Sequence, residues 1–395
     1  MVTRNDLDLI FDPLSFVETQ ETFAPSVVTG YGTVEGRLVY MFLQNREEEG
    51  GAFSKDAGRK IQNLYRLALK TKAPVIGLLD SSGFRIDEGA EALNAFSELY
   101  STVVEADKDI LQIMIVGGQC LGQMASLAEI ADFCFRDMEV EEAFEYTREI
   151  IMTMPHSRGQ LPEQFETEDD LNRLIPGIET LKGRAEDLLS GISDDGFWME
   201  MKGQGSPELK VGFIKLNGLL VAALAGNREE GVTRIGYKAL LKAARLVRIA
   251  SKFNLSLVKF SDTDGLSTED DKDLMTQASA TLVRELAAAS IPKIEVITGS
   301  VTGGAFSIMS GRGLGSDLIF MWEGAEVNAI NPRQAAELLR PDMAPGDIEK
   351  ETAEYVRTHS DADCLESKGI ADRVILPEET RKYIIGALET YANVY

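Results

Sequence analysis

An internal repeat constrains the fold of this 395-residue chain more than any other feature of its sequence. G-Y-G-T-V-E-G-R-L-V, residues 30–39, aligns with G-F-I-K-L-N-G-L-L-V, residues 212–221, so the repeat has a spacing of 212 − 30 = 182 positions. Further matches keep that spacing within one residue: Asn45 with Asn227, Asp80 with Asp262, Gly83 with Gly265, and Gly118 and Gly122 with Gly299 and Gly303. Chance similarity would not hold its register over separate segments. We infer a duplication that produced two domains of one fold.

Each copy alternates strand patterns with helix patterns. T-V-E-G-R-L-V-Y-M-F is typical of a β-hairpin, with Glu35-Gly36 as its turn. The elements expected after it are helices over about 58–70 and 90–107, strands over 75–79 and 110–116, and a capping helix over 378–392. This alternation favours right-handed crossovers and a mostly parallel sheet. We predict an α/β fold with two tandem domains, residues 1–185 and 186–395, and a proline-containing acidic connector over 148–189.

Composition and charge exclude several classes of function. A net charge of −24 and an isoelectric point near 4.6 argue against nucleic acid or an anionic membrane as the main partner. Cys120, Cys134 and Cys364 lack metal-ligand spacing and suit a reducing compartment. The first residues do not resemble a signal peptide, and no apolar run is long enough to span a membrane. We therefore expect a cytoplasmic protein.

The residue inventory also excludes the common catalytic centres. His156 and His359 are the only histidines, and neither lies near a repeated turn, so we expect both to be structural or at the surface. A Ser-His-Asp or Cys-His centre is therefore not expected. The sequence has no H-E-x-x-H and no paired C-x-x-C, and we expect no metal held by the protein.

A glycine turn recurs at the junction of strand and helix. It is I-T-G-S-V-T-G-G-A-F-S, residues 297–307, in the second copy and I-V-G-G-Q-C-L-G-Q-M-A-S, residues 115–126, in the first. The first N–H groups of a helix lack intrahelical acceptors, and glycine lets a ligand atom approach them closely. Such a turn can form an oxyanion hole. The alternative is tight packing of helix against strand, but recurrence in both copies favours function.

Four motifs in chain order resemble those of one enzyme family. They are A-P-V-I-G-L-L-D-S-S-G-F-R-I-D-E-G (73–89), G-Q-C-L-G-Q (118–123), T-G-G-A-F (302–306) and G-I-A-D-R-V-I-L-P-E-E-T-R (369–381). The chain resembles the biotin-dependent acyl-CoA carboxyltransferases. These include the β subunits of propionyl-CoA carboxylases and the α subunits of glutaconyl-CoA and methylmalonyl-CoA decarboxylases. The likeness extends over about residues 28–388.

The resemblance implies two crotonase-like (ClpP/crotonase) domains and assigns a role to each turn. Gly122-Gln123 would hold the thioester oxygen of an acyl-CoA, and Gly304-Ala305 the ureido oxygen of biotin. The other residues placed beside a ligand are Gly50, Gly51, Ala52, Lys60, Ser82 and Gly83 for coenzyme A, and Gly303, Phe306 and Ser307 for biotin. In this family carboxybiotin supplies CO2 and the base that removes the α-proton of the acyl-CoA. That route requires neither a histidine nor a metal.

The resemblance also implies partners. The sequence has no A-M-K-M biotinylation motif, and M-E-M-K-G at 199–203 does not match it, so biotin would arrive on a separate carrier protein. The family forms homo-oligomers in which each active site lies between two protomers, so we expect a dimer of active-site halves or a hexamer.

Two alternatives stay open because the chain departs from the family pattern. Gln123 stands where the family has glycine, and its side chain could block the thioester and leave a non-catalytic scaffold or regulatory homologue. A crotonase-type enzyme that acts without biotin is the other alternative; neither half shows an obvious glutamate base for it, and Glu88 is the candidate left open. The sequence gives neither the acyl chain nor the direction of the reaction.

Overall fold

The computed structural model describes residues 7, 9–118, 120, 122–136, 138–161, 163–203, 205–228, 233–342 and 344–391. Contacts divide the chain into two compact units, Met1–Pro162 and Glu163–Tyr395. The sequence placed this boundary after residue 185. Residues 163–185 pack with the second unit instead, because Ile178 lies in its apolar core and Arg173 donates to the carbonyl oxygens of Gly191 and Ser193.

The first unit contains one six-stranded sheet. Its strands, in spatial order, are β1 (Val17–Thr19), β2 (Val27–Val34), β3 (Arg37–Gln44), β4 (Val75–Leu79), β5 (Gln112–Val116) and β6 (Phe133–Phe135). β1, β2 and β3 pair antiparallel, and β3 to β6 pair parallel. The predicted hairpin turn is confirmed, since Glu35 and Gly36 both have positive φ, 49° and 76°.

The helices of this unit are α1 (Lys55–Thr71), α2 (Ala90–Asp107), α3 (Gln123–Ile130) and α4 (Val140–Thr153). α1 begins after Ser54, whose Oγ accepts a hydrogen bond from the Ala57 N–H, and its buried face includes Ile61 and Leu64. β4 and α2 have the bounds predicted from the apolar pattern.

The second unit repeats this plan in a larger sheet. The strands are β7 (Trp198–Glu200), β8 (Leu209–Leu216), β9 (Leu219–Gly226), β10 (Leu257–Thr263), β11 (Lys293–Thr302), β12 (Leu318–Trp322), β13 (Glu326–Asn328) and β14 (Arg373–Ile375). Their order is β14-β12-β11-β10-β9-β8-β7, and β13 pairs with the end of β11. As in the first unit, the two strands after the edge strand form an antiparallel hairpin, and the next ones are parallel.

The helices of the second unit are α5 (Ala185–Ile192), α6 (Tyr237–Phe253), α7 (Lys272–Ala288), α8 (Pro332–Leu339), α9 (Ile348–His359), α10 (Ala362–Ser367) and α11 (Thr380–Tyr391). β8, β9 and α6 begin and end 182 positions after β2, β3 and α1, as in 209 − 27 = 182. The duplication is therefore present in the backbone. The connector expected over 148–189 is shorter, since α4 runs to Thr153 and α5 begins at Ala185.

An aromatic cluster in the first unit lies between α1 and α2. Phe96 packs edge-to-face on Phe53, Phe84 and Tyr100, with ring centroids 5.0, 5.3 and 4.7 Å away. Phe53 also pairs with Phe84 in a short parallel bridge between their loops. The cluster thus fixes two loops at one end of the sheet.

No helix in the described part of the chain is long and apolar enough to cross a membrane.

Candidate active site

The first site is built around Asp80, which directly follows β4. Its side chain is buried, and its Oδ1 accepts a hydrogen bond from Arg46 Nη1 at 2.7 Å. The Asp80 N–H donates to Gln44 Oε1 at 3.1 Å. A single buried carboxylate thus ties the end of β4 to the loop that follows β3.

Glycines allow two further loops to approach Asp80. A Cβ on Gly118 would lie 2.4 Å from the Asp80 carboxylate, and one on Gly51 would lie 2.4 Å from the Asp80 carbonyl oxygen. Both distances are too short for any side chain. The loop containing Gly51 and the loop after β5 therefore converge on this aspartate.

The first glycine turn lies just beyond Gly118. Gly122 has φ of 60°, and α3 begins at Gln123, so the N–H groups of its first turn have no intrahelical acceptor. Gly122 and Gln123 are both exposed. The Tyr100 hydroxyl donates to the Gln123 carbonyl at 2.8 Å, which links the turn to the aromatic cluster.

The residues expected to line coenzyme A lie together in the structure. The Ser82 N–H donates to the Gly50 carbonyl at 3.0 Å, and the Phe53 N–H donates to the Gly83 carbonyl at 2.8 Å. Gly50, Gly51, Ala52, Ser82 and Gly83 therefore belong to two adjacent loops. Their contact with coenzyme A stays a prediction.

The second glycine turn has the same construction. Asp262 is the counterpart of Asp80 in the repeat. Its Oδ1 accepts hydrogen bonds from Arg228 Nε and from the Ser300 N–H, both at 3.0 Å. Gly299 is as close to Asp262 as Gly118 is to Asp80, since its Cβ would lie 2.4 Å from the carboxylate. Gly303 has φ of 63° and donates its N–H to the Asn328 carbonyl at 2.7 Å.

The helical residues after Gly303 differ from those of the first turn. Gly304 is exposed, Ala305 is buried, and a π-helix occupies Phe306–Ser310. Ser307 is exposed and Phe306 is half-buried. The residues named for biotin thus surround one helix start, at a spacing of 303 − 122 = 181 from the first turn.

A family model described as a carboxyl transferase domain matches residues 1–141 and 136–394. The chain belongs to this carboxyltransferase family. It is 27% identical over 462 positions to the alpha subunit of methylmalonyl-CoA decarboxylase from Veillonella parvula, with 100% of this chain and 90% of the relative covered. It is 26% identical over 463 positions to the propionyl-CoA carboxylase beta chain of Roseobacter denitrificans, with 100% and 91% covered.

Among solved structures, transcarboxylase 12S with methylmalonyl-CoA and methylmalonic acid bound has the same fold. The TM-score is 0.89 at 22% identity, with 98% of this chain and 89% of that chain covered. The prediction of two tandem crotonase-like α/β domains is confirmed. The prediction of a carboxyltransferase is confirmed as well.

The structure corrects the role expected for Lys60 in this carboxyltransferase. We expected it near the phosphates of coenzyme A, but it is 1% exposed, and its Nζ donates to the Val27 carbonyl at 2.6 Å. Its ammonium faces the sheet from α1 because it lies on the same helix face as Ile61 and Leu64. We therefore remove it from the candidate site.

Each histidine of the carboxyltransferase contacts residues that are close to it in the chain. His156 Nε2 lies 2.8 Å from the Ile151 carbonyl oxygen, and the exposed His359 stacks on Tyr355.

Burial raises the pKa of the Cys120 thiol. Among the described residues, no group of three His, Cys, Asp or Glu side chains could hold a metal ion.

Sequence reasoning missed the two arginines beside the buried aspartates. Asn45 and Asn227 were matched in the repeat, but the arginines that follow them, Arg46 and Arg228, were given no role. Burial by itself lowers the pKa of Arg228, but hydrogen bonds and charge from Asp264 and Asp262 raise it above the ordinary value. The sequence did contain a signal for these ion pairs, because the arginine lies 34 positions before its aspartate in both copies (80 − 46 and 262 − 228).

Proposed function

We propose that this carboxyltransferase moves CO2 between carboxybiotin on a separate carrier protein and an acyl-CoA. The observation that carries the proposal is the pair of equivalent turns, Gly122-Gln123 and Gly303-Gly304, each with a glycine of positive φ at the start of a helix. The reaction has two carbonyl-type partners, and each develops an oxyanion. Two helix-start donor sites in one chain suit that requirement. Relatives that act on methylmalonyl-CoA and propionyl-CoA support the same class of substrate.

The first turn would bind the thioester oxygen through the Gln123 N–H. This donor becomes most effective as the thioester turns into an enolate, because negative charge then collects on the oxygen. Losing one such donor costs about 3–4 kcal/mol of transition-state stabilisation. Tyr100 fixes the carbonyl side of the same residue and so holds the turn in place.

The second turn would bind the ureido oxygen of biotin at Gly304-Ala305, directly after Gly303. The exposed Gly304 has no side chain, so a carbonyl oxygen can reach the N–H groups of this helix start. Carboxybiotin supplies the CO2 and the base when it binds there. The protein contributes position and two sets of donors.

Two observations favour this proposal over the alternatives. Gln123 is exposed, and as any residue but proline would, it keeps the backbone N–H that the turn requires. Glu88, the base of a biotin-independent enzyme, accepts the Lys55 N–H at 2.6 Å through Oε2. A carboxylate that caps the start of α1 is poorly placed to remove a proton from a substrate.

The test is decarboxylation of malonyl-CoA, methylmalonyl-CoA or glutaconyl-CoA by the whole protein, with and without free biotin. We expect turnover that depends on biotin. Turnover without biotin would support the crotonase-type enzyme, and failure to bind any of the three thioesters in calorimetry would support the scaffold.

Gly304→Val tests the assignment of the second turn. Valine would cover the helix start, so biotin-dependent turnover should be lost while thioester binding stays unchanged. Gly304→Ala is the matched control, because its Cβ meets only Leu266 Cδ1, at 3.4 Å, and blocks less of the turn. Full turnover in the valine variant contradicts the assignment.

We also propose that the protein works as a homo-oligomer. Transcarboxylase 12S, which shares the fold, has a hexamer assembly. The family resemblance implies that each active site lies between two protomers, so a monomer would not complete a site. A cytoplasmic location stays a prediction.

A further inference from the structure

The two repeated arginines are equivalent in position but differ in their partners. Arg228 binds two carboxylates: its Nε donates to Asp262 Oδ1 at 3.0 Å, and its Nη1 and Nη2 donate to the two oxygens of Asp264 at 2.8 and 3.1 Å. This guanidinium is fully engaged by the protein itself. A single arginine in this fold therefore accommodates two carboxylates.

In the first copy the second carboxylate is missing. Arg46 donates from Nη1 to Asp80 at 2.7 Å, and among the described residues it contacts no other acid. The counterpart of Asp264 is Ser82, since 264 − 182 = 82. Ser82 is neutral and exposed, and the Arg46 side chain is 31% exposed. The Nε–Nη2 edge of Arg46 is thus left for an external anion.

The surroundings of Arg46 belong to the acyl-CoA side. Ser82 adjoins Gly50, and Asp80, the partner of Arg46, lies against Gly118 on the loop that leads to the first turn. The nearby Glu49 carboxylate is held by Arg85 Nη1 at 2.7 and 2.8 Å, so it does not compete for Arg46.

We propose that Arg46 binds the free carboxylate of an acyl-CoA through its Nε–Nη2 edge, as a second carboxylate beside that of Asp80. The inference rests on the proposed function and assigns the residue that holds the carboxylate of its carboxylated partner, a malonyl-type thioester. A planar guanidinium edge and a carboxylate form two parallel hydrogen bonds, which fixes the orientation of the acid. A neutral acyl-CoA would leave this edge to water.

The test compares binding of malonyl-CoA and acetyl-CoA to the whole protein by calorimetry. The wild type should bind malonyl-CoA about tenfold or more tightly than acetyl-CoA, as expected for a charge-assisted pair. Ser82→Asp supplies a carboxylate from the protein, so the ratio of the two affinities should fall to about one. The variant keeps the Arg46–Asp80 pair, whereas Arg46→Met would leave the buried Asp80 unpaired.

Ser82→Asn is the matched control, because it adds the same bulk without charge and should retain the preference for malonyl-CoA. Equal weakening of both thioesters by Ser82→Asp, or a wild type without preference, overturns the role of Arg46 and leaves the proposed function standing. Binding of neither thioester to the wild type overturns both.

Discussion

At the scale of single residues, buried aspartates decide where the turns lie. Asp80 and Asp262 are 3% and 1% exposed, and each is paired with an arginine from the loop after the preceding strand. Gly118 leaves room for Asp80 because it has no Cβ. Removing either arginine would leave a buried carboxylate without its ionic partner, which is strongly unfavourable. The pairs therefore fix the loops from which the glycine turns begin.

Asp12 provides a residue-scale prediction about pH. Its carboxylate accepts from the Gly36 and Glu35 N–H groups, both at 2.9 Å, and from Thr33 Oγ1 at 2.7 Å. The Gly36 hydrogen bond, followed by that of Thr33, lowers the pKa of Asp12 from its ordinary value of 3.8. A lowered acid pKa stabilises the fold above the unfolded pKa, and this stabilisation is lost as the pH falls through the folded pKa.

Asp12→Asn should accordingly lower the free energy of unfolding by about 1 kcal/mol at neutral pH. The difference from the wild type should shrink as the pH falls below 3.8, the ordinary pKa of this side chain. Urea denaturation at both pH values measures it. A difference that does not change with pH would mean that the hydrogen bonds do not depend on the charge of Asp12.

At the scale of elements, the two copies share turns as well as strands. The hairpins β2–β3 and β8–β9 both turn through two residues of positive φ, Glu35-Gly36 and Asn217-Gly218. α1 and α6 both end at a residue in the left-handed conformation, Lys72 with φ of 56° and Asn254 with φ of 54°. The same backbone is thus built from different side chains, because each position demands only a conformation.

The two hairpin glycines differ in their surroundings and give a matched pair of variants. A Cβ on Gly36 meets nothing within 4 Å, whereas one on Gly218 would lie 2.4 Å from the Phe165 carbonyl oxygen. Gly36→Ala should cost only the backbone strain of positive φ, about 1–2 kcal/mol. Gly218→Ala should cost about 1–3 kcal/mol more because it displaces the chain at Phe165. Denaturant unfolding of both variants measures the difference in the free energy of unfolding. Equal costs would show that the chain at Phe165 moves aside without loss of stability.

At the scale of the whole molecule, each chain contains both glycine turns, the one proposed for the thioester and the one proposed for biotin. The first unit contains Gly122-Gln123 and the second contains Gly303-Gly304. If a site requires one turn from each of two protomers, variants defective in different turns should complement each other.

Gln123→Pro and Gly304→Val are suitable variants for this prediction. Proline at the first position of α3 removes the N–H donor and is compatible with a helix start. Each variant alone should lack biotin-dependent decarboxylation, and their co-expression should restore part of it, because some mixed sites contain two intact turns. Activity assays on the co-purified oligomers provide the measurement. Absence of restoration in confirmed mixed oligomers contradicts sites shared between protomers.

The sequence by itself determined the features that depend on local pattern. β4, α2 and the turn at Gly36 were predicted at their observed places, because apolar periodicity and positive φ are properties of short segments. The duplication was visible for the same reason, since a spacing of 182, or of 181 at the glycine turns, survives where turn residues or buried charges are required.

Only the tertiary structure decided which side chains face each other. Lys60 looked suitable for a phosphate, but the packing of α1 directs its ammonium to the Val27 carbonyl inside the unit. Arg46 had no visible role until β3 and β4 placed its loop beside Asp80. Residues 163–185 likewise belong to the second unit through contacts distant in sequence. Local pattern fixes the conformation of a segment, whereas burial and charge pairing depend on the neighbours that folding brings to it.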